Sequence, residues 1–234
     1  MKGLVLAAGR GERLRPLTDR TPKPMLMVAG KPLITWQLEA MARAGLREVV
    51  INLAHLGHQI EDALGDGRAL GLQLQYSHEP PGALEAAGGI RLALPLLGDA
   101  PFVLANADVW TDFDFASLPA EPAGLAHLVL VPNPPHHPLG DFGLAGDAVT
   151  LADAQRRTYA GLGVYRPEMF RHLEAGARAP LAPLLREAIT AGRVTGTPFD
   201  GIWVDVGTPE RLDEVNRLAA TRNGESLENH PKII

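Results

Sequence analysis

Leu6-Ala-Ala-Gly-Arg-Gly-Glu-Arg-Leu-Arg-Pro16 is the stretch on which the fold turns. It grows out of the apolar run Gly3-Leu-Val-Leu-Ala7, which reads as a buried strand opening into a loop over residues 8–16. Gly9 and Gly11 allow that loop unusual torsions and a close approach to a ligand. Consecutive backbone N–H groups in such a loop can cradle phosphate oxygens, and Arg13 and Arg15 add guanidinium groups suited to phosphate. Two familiar phosphate motifs fail on detail. A dinucleotide fingerprint needs a small residue where Leu14 stands, and a P-loop needs Gly-Lys followed by Ser or Thr, which this chain lacks.

Outward from the loop, Thr21-Pro-Lys-Pro24 sets Lys23 between two prolines that restrict the backbone, so its ammonium is a fixed point charge. Apolar strands are then expected at 48–52, 72–77 and 101–105, alternating with helices at 33–44, 58–64 and 90–97. That alternation predicts βαβ units and a largely parallel sheet. The second half is less regular. Strands are expected at 126–131, 148–151, 162–165 and 202–206, helices at 181–191 and 209–220, and a loop rich in Pro and His at 133–141. With no repeat or linker in view, residues 1–220 read as a single domain and 221–234 as a polar C-terminal tail.

Composition narrows the function. The net charge of -5 offers no basic footprint for nucleic acid. Without cysteine there is no disulfide framework, thiolate zinc site or cysteine nucleophile, which suits a reducing cytoplasm. No apolar run has the length of a membrane span, and Arg10 and Arg13 interrupt the first one too soon for a signal peptide.

Two aspartates stand out. Asp108 follows an apolar strand at its carboxyl end, where open α/β sheets hold ligands, and Asp205 interrupts another after Trp203 and Val204. Mg²⁺ takes hard oxygens, commonly one or two carboxylates plus substrate phosphates. Asp112 and Asp114 compete near the first position but read as loop and cap residues. His136 and His137 are metal ligands by type, yet their proline-rich setting with no further ligands nearby favours a lid or plain loop.

Taken together, Leu6-Ala-Ala-Gly-x-Gly-x-Arg-Leu-x-Pro16, Pro22-Lys-Pro24, Gly30-Lys-Pro-Leu-Ile34, Ala105-Asn-Ala-Asp108 and Trp203-Val-Asp-Val-Gly-Thr-Pro209 resemble the signature of the sugar nucleotidyltransferase family. The resemblance spans about residues 1–220. It implies an α/β, Rossmann-like nucleotidyltransferase fold with a mixed, mostly parallel central sheet flanked by helices. It also implies transfer of a nucleotidyl group to a sugar 1-phosphate with release of pyrophosphate. Ala8, Gly9, Gly11, Glu12, Arg13, Lys23, Gly88 and Asn106 would meet the nucleotide. Arg13, Lys23, Asp108 and Asp205 would carry catalysis, and Asp108 and Asp205 would hold Mg²⁺.

Further stretches, among them Leu56-Gly-His-Gln-Ile-Glu-Asp62, Leu84-Glu-Ala-Ala-Gly-Gly-Ile90 and Gly140-Asp-Phe142, resemble the compact uridylyltransferases of cell-wall sugar recycling. This implies UTP and N-acetylmuramate 1-phosphate as substrates, with Asp141, Glu85 and Gly161 as sugar-binding candidates, in a cytoplasmic monomer or small homo-oligomer. The family's other base and sugar pairs, and a non-catalytic nucleotide-sugar sensor, are the rivals. Ala86 stands where such enzymes usually have Thr, and the Glu-Lys-Pro sugar-phosphate motif of wider relatives is absent. Arg156, Arg157, His136 and His137 are the side-chain candidates to meet the sugar's lactyl carboxylate, with one of the two arginines or backbone donors near Gly161 expected to face it.

Overall fold

The computed structural model describes residues 1–82, 84–152 and 155–222. The chain runs through β1 (Lys2–Leu6), the small hairpin β2 (Met27–Val28) and β3 (Lys31–Pro32), α1 (Leu33–Arg43), β4 (Glu48–Leu53), α2 (Gly57–Leu64), β5 (Gln73–His78), α3 (Glu85–Leu97), β6 (Phe102–Asn106) and β7 (Val109–Thr111). It continues through β8 (Ala126–Val131), β9 (Gly143–Ala145), β10 (Ala148–Thr150), β11 (Thr158–Tyr165), α4 (Leu181–Thr190), β12 (Val194–Pro198), β13 (Trp203–Asp205) and α5 (Pro209–Arg222).

Nine strands form one sheet in the order β5-β4-β1-β6-β11-β8-β12-β10-β9. The first four are mutually parallel, and β8 and β12 are parallel to each other. Only β11 and β10 run against the rest, so the sheet is mixed and mostly parallel. The reason is visible in the side chains. Along β1, Leu4 and Val5 are both fully buried but belong to different cores, one on each face of the sheet. Successive side chains alternate across a strand, so a continuous apolar run needs helices on both faces. Ile34, Leu38 and Met41 of α1 cover one face with Ile60 of α2; Ile90, Leu94 and Leu97 of α3 cover the other with Leu185 and Ile189 of α4.

A third, smaller core lies apart from the main sheet. Trp110, Val206, Val28, Leu33, Val215 and Ala219 pack together beneath the two-stranded ladder of β13 and β7. Asn216 of α5 accepts from Ala29 N at 2.9 Å, tying the β2–β3 hairpin to the last helix. Helix α5 thus braces the segment that carries Lys23.

Several expectations shift. Helix α3 begins at Glu85, five residues before the expected start at 90. Strands β7 and β12 were not expected, and β11 starts at Thr158 rather than 162. Of the tail expected at 221–234, Thr221 and Arg222 continue α5, and 223–234 lie outside the described residues.

Candidate active site

The site forms where β1 and β6 end side by side, Leu6 opposite Asn106 in the ladder. The chain leaves β1 through Ala7, whose N–H donates to Asn52 Oδ1 at 2.6 Å. Gly11 holds φ +66°, and a Cβ there would lie 2.9 Å from the Thr18 methyl, so the turn excludes larger residues. Gly9 faces open space, and with Ala8, Gly11, Lys23, Asn106 and Asp108 it lines a cavity of about 250 Å³. Glu85 and Ala86, in the first turn of α3, line the same cavity.

At the cavity's inner wall Asn52 and Glu79 form a polar cluster. Asn52 Nδ2 donates to Glu79 Oε1 at 2.7 Å, and Leu84 N donates to Glu79 Oε2 at 3.1 Å. Burial pushes the Glu79 carboxyl above the ordinary range, against the lowering effect of these two donors. A Cβ on Gly89 would lie 2.5 Å from Glu79 Oε1 and 2.6 Å from Asn52 Nδ2, so α3 can approach this cluster only with glycine there.

Lys23, on a short 3-10 turn, is nearly buried, and its Nζ lies 2.5 Å from Asp108 Oδ2. Asp108 stands two residues past the end of β6 and just before β7. Through the ladder between β7 and β13, Asp205 sits opposite Val109, and Val206 N donates to the Asp108 carbonyl at 2.7 Å. Two aspartates nearly a hundred residues apart in sequence are therefore neighbours. Asp205 Oδ1 is sealed from solvent and held by the Arg211 guanidinium, whose Nη1 lies 2.5 Å away, with His136 Nε2 3.1 Å from the same oxygen. Among the described residues no group of three or more His, Asp or Glu side chains clusters in a manner that could hold a metal.

The remaining candidates divide. Arg13 is exposed, and its Nη2 reaches over Gly207, beside Asp205. Glu12 is exposed on the outer side of the loop, in a small crevice with Arg10, Arg15 and His55. Gly88 is turned away from the cavity: a Cβ there would meet the Ala177 carbonyl at 2.5 Å, and its N–H donates to Ala179 O at 3.1 Å. Its place is in helix packing. Gly161 holds φ +70° in the irregular stretch of β11 and lies directly against the Asn106 amide. Asp141 accepts from Tyr159 N at 2.8 Å and meets His137 Nε2 at 3.0 Å, so both its oxygens are engaged. Glu85 meets the Arg178 guanidinium at 2.6 Å. Asp112 and Asp114 do act as loop and cap residues, accepting from Ile202 N at 2.8 Å and Ala116 N at 3.0 Å.

Sequence reasoning passed over Arg211 and missed the contact that His136 makes with Asp205. Arg211 carried no motif of its own, and His136 was read with its loop. Their sole early signal is chemical type: a basic residue in the first turn after the Asp205 motif, and an imidazole in a proline-fixed turn.

A family model for nucleotidyl transferases matches residues 2–222. The chain belongs to the nucleotidyl transferase family. It is 55% identical to the N-acetylmuramate alpha-1-phosphate uridylyltransferase of Neisseria meningitidis, over 94% of this chain and 98% of the relative. It is 34% identical to the enzyme of the same name from Caulobacter vibrioides, over 92% and 96% of the two chains. A Bacillus anthracis structure carrying the name of a candidate glucose-1-phosphate thymidylyltransferase superposes with a TM-score of 0.83 at 21% identity, covering 99% of this chain and 98% of that one. That likeness bears on the fold, which is the Rossmann-like arrangement expected. The chain is thus an enzyme, a nucleotidyltransferase acting in sugar-phosphate chemistry. Among the described residues no helix is long and apolar enough to cross a membrane.

Proposed function

We propose that the protein transfers a uridylyl group from UTP to N-acetylmuramate α-1-phosphate, giving UDP-N-acetylmuramate and pyrophosphate, in a cytoplasm that recycles cell-wall sugars. The observation that carries this reading is the Lys23–Asp108 pair lining one cavity with Gly9 and Gly11, with Asp205 drawn beside Asp108 through the β7–β13 ladder, in a chain 55% identical to an enzyme of that name. A nine-strand sheet drawn from both halves of the chain supports reading residues 1–220 as one catalytic domain.

The chemistry needs no protein nucleophile. The sugar phosphate's anionic oxygen attacks the α-phosphorus, the bond to the β-phosphate breaks, and pyrophosphate leaves with inversion at phosphorus. The protein's part is to hold both substrates in line and neutralise charge. Ala8, Gly9 and Gly11 would present backbone to the triphosphate, Asn106 would meet the nucleotide, and Arg13 would meet the leaving pyrophosphate. Lys23 would move from Asp108 to the reacting phosphates. Asp108 and Asp205 fit Mg²⁺ by donor type, two hard carboxylates on adjoining backbone, each now balanced by an internal cation. When bound there, Mg²⁺ supplies charge neutralisation on the phosphates.

For the sugar, Asp141, Glu85 and Gly161 remain the candidates. Arg156 Nε and Nη2 donate to the carbonyls of Ala152 and Leu151, which commits that side chain to its own loop. Arg157 meets Asp200 at 2.7 Å, and its backbone pairs with Phe142 beside Asp141, so Arg157 is the better side-chain candidate for the lactyl carboxylate. The test is a panel of UTP, TTP, GTP and ATP against N-acetylmuramate, N-acetylglucosamine, glucose and mannose 1-phosphates, read by pyrophosphate release. Highest kcat/KM with UTP and the muramic substrate is expected. Preference for another pair overturns the assignment.

A further inference from the structure

We propose that Arg211 is a second phosphate-binding arginine, paired with Arg13, which exchanges the Asp205 carboxylate for the polyphosphate of the substrate or of the pyrophosphate product. The proposal rests on the reading of Asp205 as a metal ligand.

Three observations converge. Arg211 stands in the first turn of α5, with only 11% of its side chain exposed and Nη1 2.5 Å from Asp205 Oδ1. Its second terminal nitrogen reaches over Gly207: a Cβ there would lie 2.4 Å from Arg211 Nη2 and 2.9 Å from Arg13 Nη2. Guanidinium groups from the N-terminal loop and from the last helix therefore end at one point, above a residue that leaves the space open. His136 Nε2, 2.8 Å from Arg211 Nη1, adds a third nitrogen group around the same carboxylate.

Asp205 balances this gathering of positive charge while its oxygen is available. A divalent ion held by Asp205 would draw on the same carboxylate charge and add its own beside a nearly buried guanidinium. Leaving a buried charge without a partner is costly. The arrangement therefore disfavours a metal ion alone and favours one accompanied by an anion able to receive both arginines. A diphosphate has the oxygens for this, and Arg binds phosphate oxygens in a bidentate fork. Arg211 accordingly rests on Asp205 in the free enzyme and turns to the β- and γ-phosphates, or to free pyrophosphate, when the metal-bound anion arrives.

The experiment is a calorimetric titration of the whole protein with Mn²⁺ alone, and then of the protein with inorganic pyrophosphate at saturating Mn²⁺. Arg211→Gln keeps one amide donor for Asp205 but no charge. It is expected to bind Mn²⁺ alone several-fold more tightly and pyrophosphate about tenfold more weakly, two shifts of opposite sign. Arg211→Lys, measured alongside in case the first variant does not fold, keeps the charge but loses the fork. It should leave Mn²⁺ binding close to wild type and weaken pyrophosphate. A role confined to holding Asp205 in place would weaken both ligands together in Arg211→Gln, and that result overturns the proposal. So does an unchanged pyrophosphate affinity in both variants, or a loss that falls on N-acetylmuramate 1-phosphate instead. Asp205→Asn serves as the control: if it binds Mn²⁺ like wild type, the metal reading fails and takes this proposal with it. A loss of Mn²⁺ binding there, with no opposed shifts in the Arg211 variants, overturns the proposal alone.

Discussion

Lys23 Nζ and Asp108 Oδ2 lie 2.5 Å apart, joining a proline-held turn near the N-terminus to the end of β6 across 85 residues of sequence. The pair is only partly open to solvent, with 11% of the lysine side chain and 33% of the aspartate side chain exposed. An ammonium lining the cavity needs only to leave Asp108 to reach a bound phosphate, and electrostatic groups of this kind commonly contribute ~10²–10³-fold to rate. Lys23→Met should therefore lower kcat/KM by at least about 10²-fold in a pyrophosphate-release assay. A loss smaller than tenfold would mean that Lys23 serves the fold rather than the reaction.

Gly161 makes the second case. At φ +70° any side chain is strained, and a Cβ would fall 2.4 Å from Asn106 Nδ2. Gly161→Ala is expected to cost ~1–3 kcal/mol of stability from the backbone alone. It should also weaken nucleotide binding by displacing Asn106. Urea unfolding and calorimetry with UTP measure the two effects, and a variant as stable as wild type would contradict the account.

These two sites show what the sequence could disclose. Lys23, Asp108 and the loop around Gly9 and Gly11 announce themselves because apolar runs and prolines fix where they stand. The start of α3 did not, because Gly88 and Gly89 depress helix propensity locally. Their glycines answer to contacts made from elsewhere, with the Ala177 carbonyl and with Glu79 and Asn52. Strand β12 was hidden for a related reason: Gly196 and Pro198 weaken its pattern, while five paired residues beside β8 hold it in the sheet. Arg211 gave no signal and the place of His136 beside Asp205 stayed hidden, since both depend on a carboxylate that reaches them through the β7–β13 ladder.

Glu79 gives a dependence on pH. Burial raises its folded-state value above the ordinary 4.5. A group raised on folding stabilises the protein below its unfolded value and loses that contribution as pH climbs through the folded one. Wild type should accordingly lose stability relative to Glu79→Gln as pH rises from 4.5 through the raised value, with a flat difference below 4.5. Urea midpoints across this window check it. A difference that grows in the opposite direction would contradict the burial argument.

Arg157 and Arg156 separate on sugar choice. Arg157→Ala should lower kcat/KM for N-acetylmuramate 1-phosphate by about tenfold while largely sparing the N-acetylglucosamine substrate, as expected for one charge-assisted contact. Arg156, held by the carbonyls of Leu151 and Ala152, should leave the ratio near wild type when replaced by Ala. If neither variant changes the ratio, recognition of the lactyl carboxylate falls to backbone donors near Gly161.

We propose that Asp108 and Asp205, brought together by the β7–β13 ladder, act as one metal-binding centre for nucleotidyl transfer. Its most direct test is pyrophosphate release by Asp108→Asn and Asp205→Asn across a Mg²⁺ titration with UTP and N-acetylmuramate 1-phosphate. The account predicts that each variant keeps the wild-type circular dichroism spectrum and loses about 10³-fold or more in kcat. Near-wild-type turnover by either variant at limiting Mg²⁺ would contradict it.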